Sequence, residues 1–424
     1  MRIPLRASEL IALGAAVLLA ACGAKTGLNA PDMGPDFGVD LGPDMGPPPP
    51  PPPQCVEVPR NGETVDADFE LPVSLAVVDV FFLLDATASM LDEIDTIRNR
   101  LRDRVVPGVR AAIPDAAFGV ALFGEFPVDR HGPSDVRPFE MRRTVTTDII
   151  QVETALEGLP SWGNFDEPEA ATEGLYQVAT GEGLDRWIDR TAGCPRGGEG
   201  GACFRSTSLP VILLITDAPM QNGPRGVPPV STYDFPGPHS YTEALEALDR
   251  IGVLVIGLWA TDFSSMSPAA QLRRVSSDTG AVDGDDSLAR SIGSSGGGVG
   301  EGIVSAITRL AEGTPLDVDA LVEDVRGDEF DARDLVVGVE PLSADPPGGV
   351  SRIEGNVFVG TEPGTRVTFR VRLDPLAVPE RAETLRIPAR VVFRAFGRSR
   401  LGAQDVVFLI PGMDGESCDD EPSP

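Results

Sequence analysis

An aspartate and two hydroxyl residues at alternate positions form the first candidate site: Asp85, Thr87 and Ser89. Carboxylate and hydroxyl oxygens are hard ligands that suit Mg²⁺ or a similar cation in a tight turn. Asp217, in the segment Leu-Ile-Thr-Asp-Ala-Pro, offers a further carboxylate. Because Ser and Thr after Asp are also ordinary helix-capping residues, the pattern alone leaves a purely structural role open. Cation binding is the chemistry that these residues indicate.

Two apolar runs come before these residues and predict the strands that position them. Val80–Leu84 directly precedes Asp85, and Val211–Ile215 comes shortly before Asp217. Continuous apolar runs of this length are typical of strands buried on both faces of a parallel sheet. Ligands of open α/β sheets bind outside the carboxyl ends of the strands. The two aspartates are therefore expected to meet at one edge of the sheet.

Helical patterns alternate with these strands and determine the expected fold class. Apolar residues recur at helical spacing after Ser89, namely Leu91, Ile94, Ile97, Leu101 and Val105. The alternation of strand and helix continues through Ala244–Ile251, Val253–Leu258 and Ile303–Leu310. It predicts an α/β fold with a doubly wound, mostly parallel sheet over residues 78–312.

The helical period disappears in the last quarter of the chain. Short alternating runs, such as Arg366–Leu373 and Arg390–Phe396, are separated by Pro and Gly turns and predict an all-β sandwich over residues 313–412. Residues 55–77 are also strand-like and have no sheet of their own to join. We therefore expect them to join the sandwich, which makes the α/β domain an insertion. A simple tandem order is the alternative.

Residues 1–22 are expected to be a lipoprotein signal peptide. Arg2 and Arg6 precede an apolar run that is too short to span a bilayer as a permanent helix. The run ends Leu-Ala-Ala-Cys, which is similar to the bacterial lipobox and implies acylation of Cys22; an ordinary export signal is the alternative. The residue after Cys22 is Gly23, and not the aspartate that is associated with inner-membrane retention. The expected location is therefore the cell envelope, as an outer-membrane lipoprotein on either the periplasmic or the surface face.

Segments at both ends of the exported chain have little capacity to build a core. Residues 23–54 are dominated by Pro, Gly and Asp and are expected to form a tether, and residues 413–424 form an acidic tail. Within the tether, Pro47–Pro53 favours a polyproline II rod of about 20 Å. The tether would hold the folded part away from the membrane.

Four cysteines remain besides Cys22, and an even number in an oxidising compartment suggests two disulfides. The nine-residue separation favours Cys194 with Cys203, which leaves Cys55 for Cys418. Spacing in the sequence does not by itself establish the pairing.

The charge of the chain excludes one class of partner. The formal net charge is −30, and Lys25 is the single lysine. Phosphate binding needs clustered Lys and Arg, so nucleic acid is excluded as a partner. An acidic surface suits cation binding, although the solubility of an exported domain also accounts for such a charge.

The surroundings of Asp85 resemble von Willebrand factor A domains, whose metal-ion-dependent adhesion site has the form Asp-x-Ser-x-Ser. Thr87 takes the place of the first serine and keeps the hydroxyl. Within this family, integrin β subunits carry an Asn-x-Asp-x-Pro-Glu stretch, which is similar to residues 164–169 here. They also have two acids shortly after the metal loop and one after the second strand, similar to residues 90–93 and Glu125. The resemblance covers the predicted α/β domain and implies the integrin β I-like subtype.

This resemblance implies three neighbouring cation sites. The central site is Asp85, Thr87, Ser89, Glu169 and Asp217. One flanking site is Asp92 and Glu93, and the other is Glu125, Asn164, Asp166, the Pro168 carbonyl and Glu169. So many acids at one sheet edge would repel each other strongly without cations between them, and magnesium, calcium or both are implied. The alternative for residues 164–169 is a solvated loop that caps the next helix.

The implied function is binding of a protein ligand, in which an acidic side chain of the partner completes the coordination of the central ion. The membrane would be contacted through the lipid anchor only. A structural envelope protein whose metals only brace the fold is the alternative. An enzyme is not expected, because His131 and His239 lack metal-ligand spacing and are expected at the surface, and no base or nucleophile accompanies the predicted ion. A metal-dependent hydrolase is a remote alternative.

We expect the purified protein to bind calcium and magnesium, and Asp85→Ala to weaken that binding, because the variant removes a ligand of the central ion. Isothermal titration calorimetry of both proteins measures the effect. An unchanged titration in the variant would contradict the assignment of Asp85.

Overall fold

The computed structural model describes residues 53–419, apart from a set of short stretches. Within this range it does not describe positions 61, 129, 195–196, 261–265, 294–297, 326, 328, 379–380 and 414–416. The predicted signal peptide, the acylation site Cys22, nearly all of the predicted tether and the last five residues of the predicted tail lie outside the described residues.

Strands and helices alternate in the first part of the described chain, and a series of strands follows the last helix. Before and within the α/β region, the strands are β1 (Gln54–Glu57), β2 (Val65–Pro72), β3 (Val77–Asp85), β4 (Asp115–Phe123), β5 (Glu140–Thr146), β6 (Leu209–Thr216), β7 (Leu254–Ala260), β8 (Val282–Asp283), β9 (Asp286–Ser287) and β10 (Arg290–Gly293). The helices are α1 (Leu91–Arg100), α2 (Val106–Ala112), α3 (Ile149–Ala155), α4 (Ala171–Thr180), α5 (Tyr241–Arg250), α6 (Ala269–Asp278) and α7 (Val299–Gly313). The C-terminal strands are β11 (Leu316–Asp324), β12 (Val336–Asp345), β13 (Val350–Glu354), β14 (Val357–Thr361), β15 (Arg366–Leu373), β16 (Leu385–Ala395) and β17 (Ser399–Ile410). Within the described part of the chain, none of the helices is long and apolar enough to cross a membrane.

Six strands form the sheet that carries the candidate site, in the order β10-β7-β6-β3-β4-β5. All neighbouring pairs are parallel except β4 and β5, which are antiparallel. Strand β3 lies near the centre, where Phe82 pairs with Leu213 on one side and with Val120 on the other. Strands β8 and β9 form a separate two-stranded hairpin. The predicted mixed α/β architecture is confirmed.

Alternate residues of β3 enter two separate hydrophobic clusters. Val80, Phe82 and Leu84 belong to a cluster with residues of α1, α2 and α7. Phe81 and Leu83 belong to a second cluster with residues of α4, α5 and α6. Successive side chains of a strand point to opposite faces of the sheet, so helices cover both faces. Burial on both faces accounts for the unbroken apolar run of this strand.

Two further sheets are built mainly from the C-terminal strands, in the orders β1-β17-β16-β11-β14-β13 and β12-β15-β2. Each includes one strand from the segment before β3, because β1 pairs in parallel with β17 and β2 pairs antiparallel with β15. The two sheets contact each other at Phe369 of β15. Its ring centroid lies 5.0 Å from that of Phe358 and 5.9 Å from that of Phe393, both in the larger sheet.

Two disulfides link the cysteines that the sequence pairs. Cys55 is bonded to Cys418, with Cα atoms 5.7 Å apart, and Cys194 is bonded to Cys203, with Cα atoms 5.2 Å apart. The first disulfide joins β1 to the chain beyond β17, across a sequence separation of 363 residues. Both predicted pairings are confirmed.

We expect Phe369→Ala to lower the free energy of unfolding by about 3–5 kcal/mol, because it empties a fully buried position between two sheets. Val337→Ala is the control: Val337 lies on β12 in the same sheet and is 60% exposed, so its effect should stay within about 0.5 kcal/mol. Urea unfolding followed by circular dichroism measures both values. Equal losses in the two variants would contradict the packing described for Phe369.

Candidate metal centre

Three carboxyl groups lie at the carboxyl ends of neighbouring parallel strands. Asp85 is the last residue of β3, Asp217 directly follows β6, and Glu125 lies two residues beyond β4. Because these strands are adjacent and parallel, their ends meet at one edge of the sheet. All three side chains are buried, and Asp85 and Glu125 have no exposed surface.

Hydroxyl groups hold the Asp85 carboxylate from both sides. Thr216 donates to Oδ2 at 2.6 Å, and Thr87 donates to Oδ1 through its hydroxyl at 2.6 Å and its backbone N–H at 3.0 Å. The hydroxyl oxygens of Thr87 and Ser89 lie 3.2 Å apart, and Ser89 donates to Asp217 Oδ1 at 3.1 Å. Four of the five predicted central residues are thus brought into one continuous network. Thr216 belongs to the network as well, although it was not among the residues predicted from the sequence. Its position directly before Asp217 is the only feature of the sequence that could have indicated this role.

Backbone hydrogen bonds fix the loop between Asp85 and α1. The N–H of Ala88 donates to the carbonyl of Trp162, and the N–H of Trp162 donates to the carbonyl of Ala86, both at 3.0 Å. A short 3₁₀ turn, Ala88–Met90, then leads into α1. These bonds hold Trp162, which shortly precedes the predicted loop of residues 164–169, against the end of β3.

Glu169 is fixed near the strand ends by its own backbone. Its N–H donates to the carbonyl of Pro219 and its carbonyl accepts from the N–H of Gln221, both at 2.8 Å. Its side chain has no exposed surface, and Oε1 accepts a hydrogen bond from Asn164 Nδ2 at 2.6 Å. The same amide donates to the carbonyl of Asp166 at 2.8 Å. The loop therefore folds back on itself, with Pro168 buried within it.

A second group of ligand atoms lies beside the first and contains a histidine. His131 is 7% exposed, and its Nδ1 lies 2.8 Å from Asp166 Oδ2. Glu125 Oε1 accepts hydrogen bonds from the Tyr233 hydroxyl at 2.6 Å and from the Phe126 N–H at 2.5 Å. Ligand atoms of Glu125, His131 and Asp166 all lie within 4.8 Å of one another.

The expectation that both histidines lie at the surface is wrong. Two backbone hydrogen bonds hold His131: its N–H donates to the carbonyl of Val128 at 2.8 Å, and its carbonyl accepts from the N–H of Phe165 at 2.7 Å. His239 is half-buried, with Nδ1 3.0 Å from Glu173 Oε2. The side-chain partners lie 35 and 66 residues away in the chain, so no local spacing reveals them.

Burial and mutual repulsion raise the pKa values of these acids. At Asp85, burial and then the charge of Asp217 raise the pKa to about 7. Burial raises the pKa values of Glu125 and Glu169 well above the ordinary value, and the charge of Asp85 contributes at both. Burial also raises the pKa values of Asp166 and Asp217. Among the described residues, no arginine forms an ion pair with any of these five acids, so arginine supplies no compensating charge.

Several buried atoms of this region have no hydrogen-bond partner among the residues that the structure describes. They are Glu125 Oε2, Glu169 Oε2, Asp166 Oδ1 and His131 Nε2. Buried polar atoms in folded proteins nearly always have a partner, so this group requires an explanation. Three of the four are carboxylate oxygens, which are the preferred ligands of calcium and magnesium. The residues present therefore fit divalent cations.

The predicted flank at the start of α1 is less closely tied to the others. Asp92 is exposed and Glu93 is buried, both in the first turn of the helix. Across the described ranges, the group of ligand atoms within 4.8 Å of one another includes neither residue. Their role as cation ligands stays a prediction.

We expect the cation-free protein to lose stability as the pH rises from about 5 to 8. Below about pH 7, Asp85 is protonated in the folded protein but ionised in the unfolded chain, and the raised pKa values of Glu125 and Glu169 act in the same direction. Rising pH therefore favours the unfolded chain. Carboxyls with lowered pKa, such as Asp331 at about 2, titrate below the window. Thermal unfolding in EDTA, followed by circular dichroism at each pH, measures the trend.

Asp85→Asn is the matched control, because it keeps the shape and removes the charge. Its midpoint in EDTA should fall less between the two ends of the pH range. Saturating Mg²⁺ or Ca²⁺ should raise the wild-type midpoint more at the alkaline end, since the cation binds the ionised carboxyls. A wild-type midpoint in EDTA that increases with pH would contradict the repulsion described for this cluster.

No protein-family model and no curated protein matches the chain. Among solved structures, the chain is similar to von Willebrand factor type A from Catenulispora acidiphila, at 10% identity and a TM-score of 0.35, over 84% of this chain and 71% of that one. It is similar to proximal thread matrix protein 1 from the mussel byssus, at 11% identity and a TM-score of 0.34, over 59% and 51% of the two chains. It is also similar to the pilus adhesin SpaC from Lactobacillus rhamnosus GG in its open conformation, at 12% identity and a TM-score of 0.35, over 82% and 45%. The chain spans about half the length of the latter two proteins.

Proposed function

We propose that the protein binds another protein through a divalent cation at the edge of the central sheet, and that it is not an enzyme. The observation that carries the proposal is the network from Thr216 through Asp85 to Asp217, next to buried acids with which no described arginine forms an ion pair. Buried charges without compensation strongly destabilise a fold, and a cation removes that cost. The proposed ligands of the central magnesium or calcium ion are Asp85, Thr87, Ser89, Glu169 and Asp217.

The side chains of the central site differ in what they contribute. Thr216 and Thr87 each donate to one oxygen of Asp85, so this carboxylate is held in place before a cation arrives. Ser89 is exposed and marks the side of the network that a partner can reach. A bound cation would attract an acidic side chain of the partner, and that side chain would complete the coordination of the cation.

Two flanking cations belong to the same proposal. Their ligands are Asp92 and Glu93 on one side, and Glu125, Asn164, Asp166, the Pro168 carbonyl and Glu169 on the other. The hydrogen bond from Asn164 to Glu169 and the effect of the Glu125 charge on the pKa of Glu169 support the second group. Such cations would neutralise the acids next to the central site and keep their loops in place.

The proposed architecture is a von Willebrand factor A domain of the integrin β I-like type, over residues 78–312, inserted into a β-sandwich. The pairing of β1 with β17 and of β2 with β15 supports the insertion. The sandwich would comprise residues 55–77 and 313–412. The proposed anchor is acylated Cys22, which would attach this lipoprotein to the outer membrane.

The contacts of the exposed serine argue against catalysis. Ser89 donates to Asp217 and lies next to Thr87. A serine nucleophile needs an adjacent general base. The hydrogen-bond partners of His131 include Asp166, and those of His239 include Glu173, whereas Ser89 is bonded to neither histidine. The site is therefore better suited to binding than to acyl transfer.

We expect the immobilised protein to retain a partner from solubilised cell envelopes in Mg²⁺ and Ca²⁺, and to release it in EDTA. Asp85→Ala should lose the partner in both conditions, because the variant lacks a central ligand. Asp405→Ala is the control: this aspartate lies exposed on β17 and pairs with Arg390, and the variant should behave as wild type. Mass spectrometry of the EDTA eluate measures the result.

Two outcomes would contradict the proposal. A partner that both the wild type and Asp85→Ala retain in EDTA shows binding without the cation. Cation binding that raises the unfolding midpoint, with no partner retained by any protein, indicates that the metals only brace the fold.

A further inference from the structure

His131 is one of two histidines in the chain, and it lies among acids that the resemblance assigns to an oxygen-only site. It is 7% exposed, and its Nδ1 lies 2.8 Å from Asp166 Oδ2. One ligand atom each from Glu125, His131 and Asp166 fall within 4.8 Å of one another. Two carboxylates and an imidazole thus lie close enough together to share one ion.

Each of these three side chains has a buried atom that makes no hydrogen bond with any described residue. The atoms are Glu125 Oε2, Asp166 Oδ1 and His131 Nε2. Among the described residues, Asp234 lies near the imidazole Nε2, with its Oδ1 3.5 Å away. A charged imidazole bridging Asp166 and Asp234 would still leave the oxygens of Glu125 and Asp166 without partners. One cation shared by the three side chains would supply the positively charged partner that the oxygens of Glu125 and Asp166 lack.

We propose that Glu125, His131 and Asp166 form a cation site that takes Zn²⁺, or a similar borderline divalent ion, in preference to Ca²⁺ or Mg²⁺. Calcium and magnesium prefer sites made of oxygen ligands, whereas an imidazole nitrogen suits zinc and its neighbours. The proposal rests on the proposed function in taking Glu125 and Asp166 as cation ligands. It changes the class of ion at that flank and leaves the central magnesium or calcium site as it is.

Neighbouring side chains hold the two carboxylates in place. The Tyr233 hydroxyl donates to Glu125 Oε1 at 2.6 Å, and Gln221 Nε2 donates to Asp166 Oδ2 at 3.2 Å. Such outer partners orient ligands in metal sites. The Tyr233 ring also packs edge-on against His131, with centroids 5.2 Å apart. The loop after β6, which carries Tyr233 and Gln221, would therefore be tied to the site.

Titration of Zn²⁺ into the purified protein, prepared without a polyhistidine tag, tests the proposal. In wild type we expect one tight Zn²⁺ site that excess Ca²⁺ and Mg²⁺ do not displace. His131→Ala should weaken Zn²⁺ binding by at least about 10–100-fold, the loss seen when even outer partners of a metal are removed. His239→Ala is the matched control, because His239 contacts Glu173 outside this group, and its titration should equal wild type.

Asp85→Ala separates this inference from the proposed function. It should abolish Mg²⁺ binding at the central site but leave a Zn²⁺ site, since Asp85 is outside the three-residue group. If Zn²⁺ binds as described while no partner is retained, the proposed function fails and the zinc site stands. If Mg²⁺ binding depends on Asp85 but Zn²⁺ titrates identically in the His131 and His239 variants, the zinc site is overturned.

A second measurement covers the case in which His131→Ala does not fold. Imidazole ¹⁵N NMR of the wild-type protein gives signals from two histidines, which His239→Ala assigns. Adding Zn²⁺ should shift the His131 nitrogens and leave those of His239 in place, because one ring nitrogen becomes a metal ligand. Unshifted His131 signals at saturating Zn²⁺ would overturn the proposal.

Discussion

The crowding of carboxyl groups at one edge of the central sheet is the constraint on which the rest of the structure depends. Strands β3, β4 and β6 are neighbours, and parallel strands lie about 4.8 Å apart, so the acids that follow them come close together. Like charges at such distances repel strongly where water is excluded. Burial, and then the charge of Asp217, raise the pKa of Asp85. Hydrogen bonds of the surrounding loops keep the acids close together, so the acids do not move apart in response to this repulsion.

Two short backbone contacts hold the acids where they are. The backbone of Trp162 forms hydrogen bonds with Ala86 and Ala88, which follow Asp85. The backbone of Glu169 forms hydrogen bonds with Pro219 and Gln221, which follow β6. The acids therefore cannot swing apart without breaking hydrogen bonds of the buried backbone, which is costly. Hydroxyl donors at Asp85 reduce the cost of holding its charge, but Glu169 Oε2 has no such donor among the described residues. The proposed cation would explain why this frame holds oxygens that have no hydrogen-bond partner among the described residues.

The predicted part of the site and the unpredicted part differ in the range of the contacts that define them. Asp85, Thr87 and Ser89 lie within five consecutive residues, and their chemistry is readable at that spacing. Tyr233 reaches Glu125 across 108 residues, and His131 reaches Asp166 across 35. Periodicity and motif spacing describe only what is near in the chain. Both histidines were therefore expected at the surface, and one of them lies within the candidate site.

The sequence by itself determined the mixed α/β class and the buried strands that end at Asp85 and before Asp217, and it favoured the two cysteine pairings. It did so because a strand that is buried on both faces has an unbroken run of apolar residues, and because four cysteines allow only three sets of disulfides. Only the tertiary structure decided that β1 and β2 pair with β17 and β15, more than 290 residues further along the chain. It alone also decided that a histidine joins the acids. Strand pairing and side-chain contacts depend on which surfaces meet once the chain has folded, and a one-dimensional pattern does not contain that information.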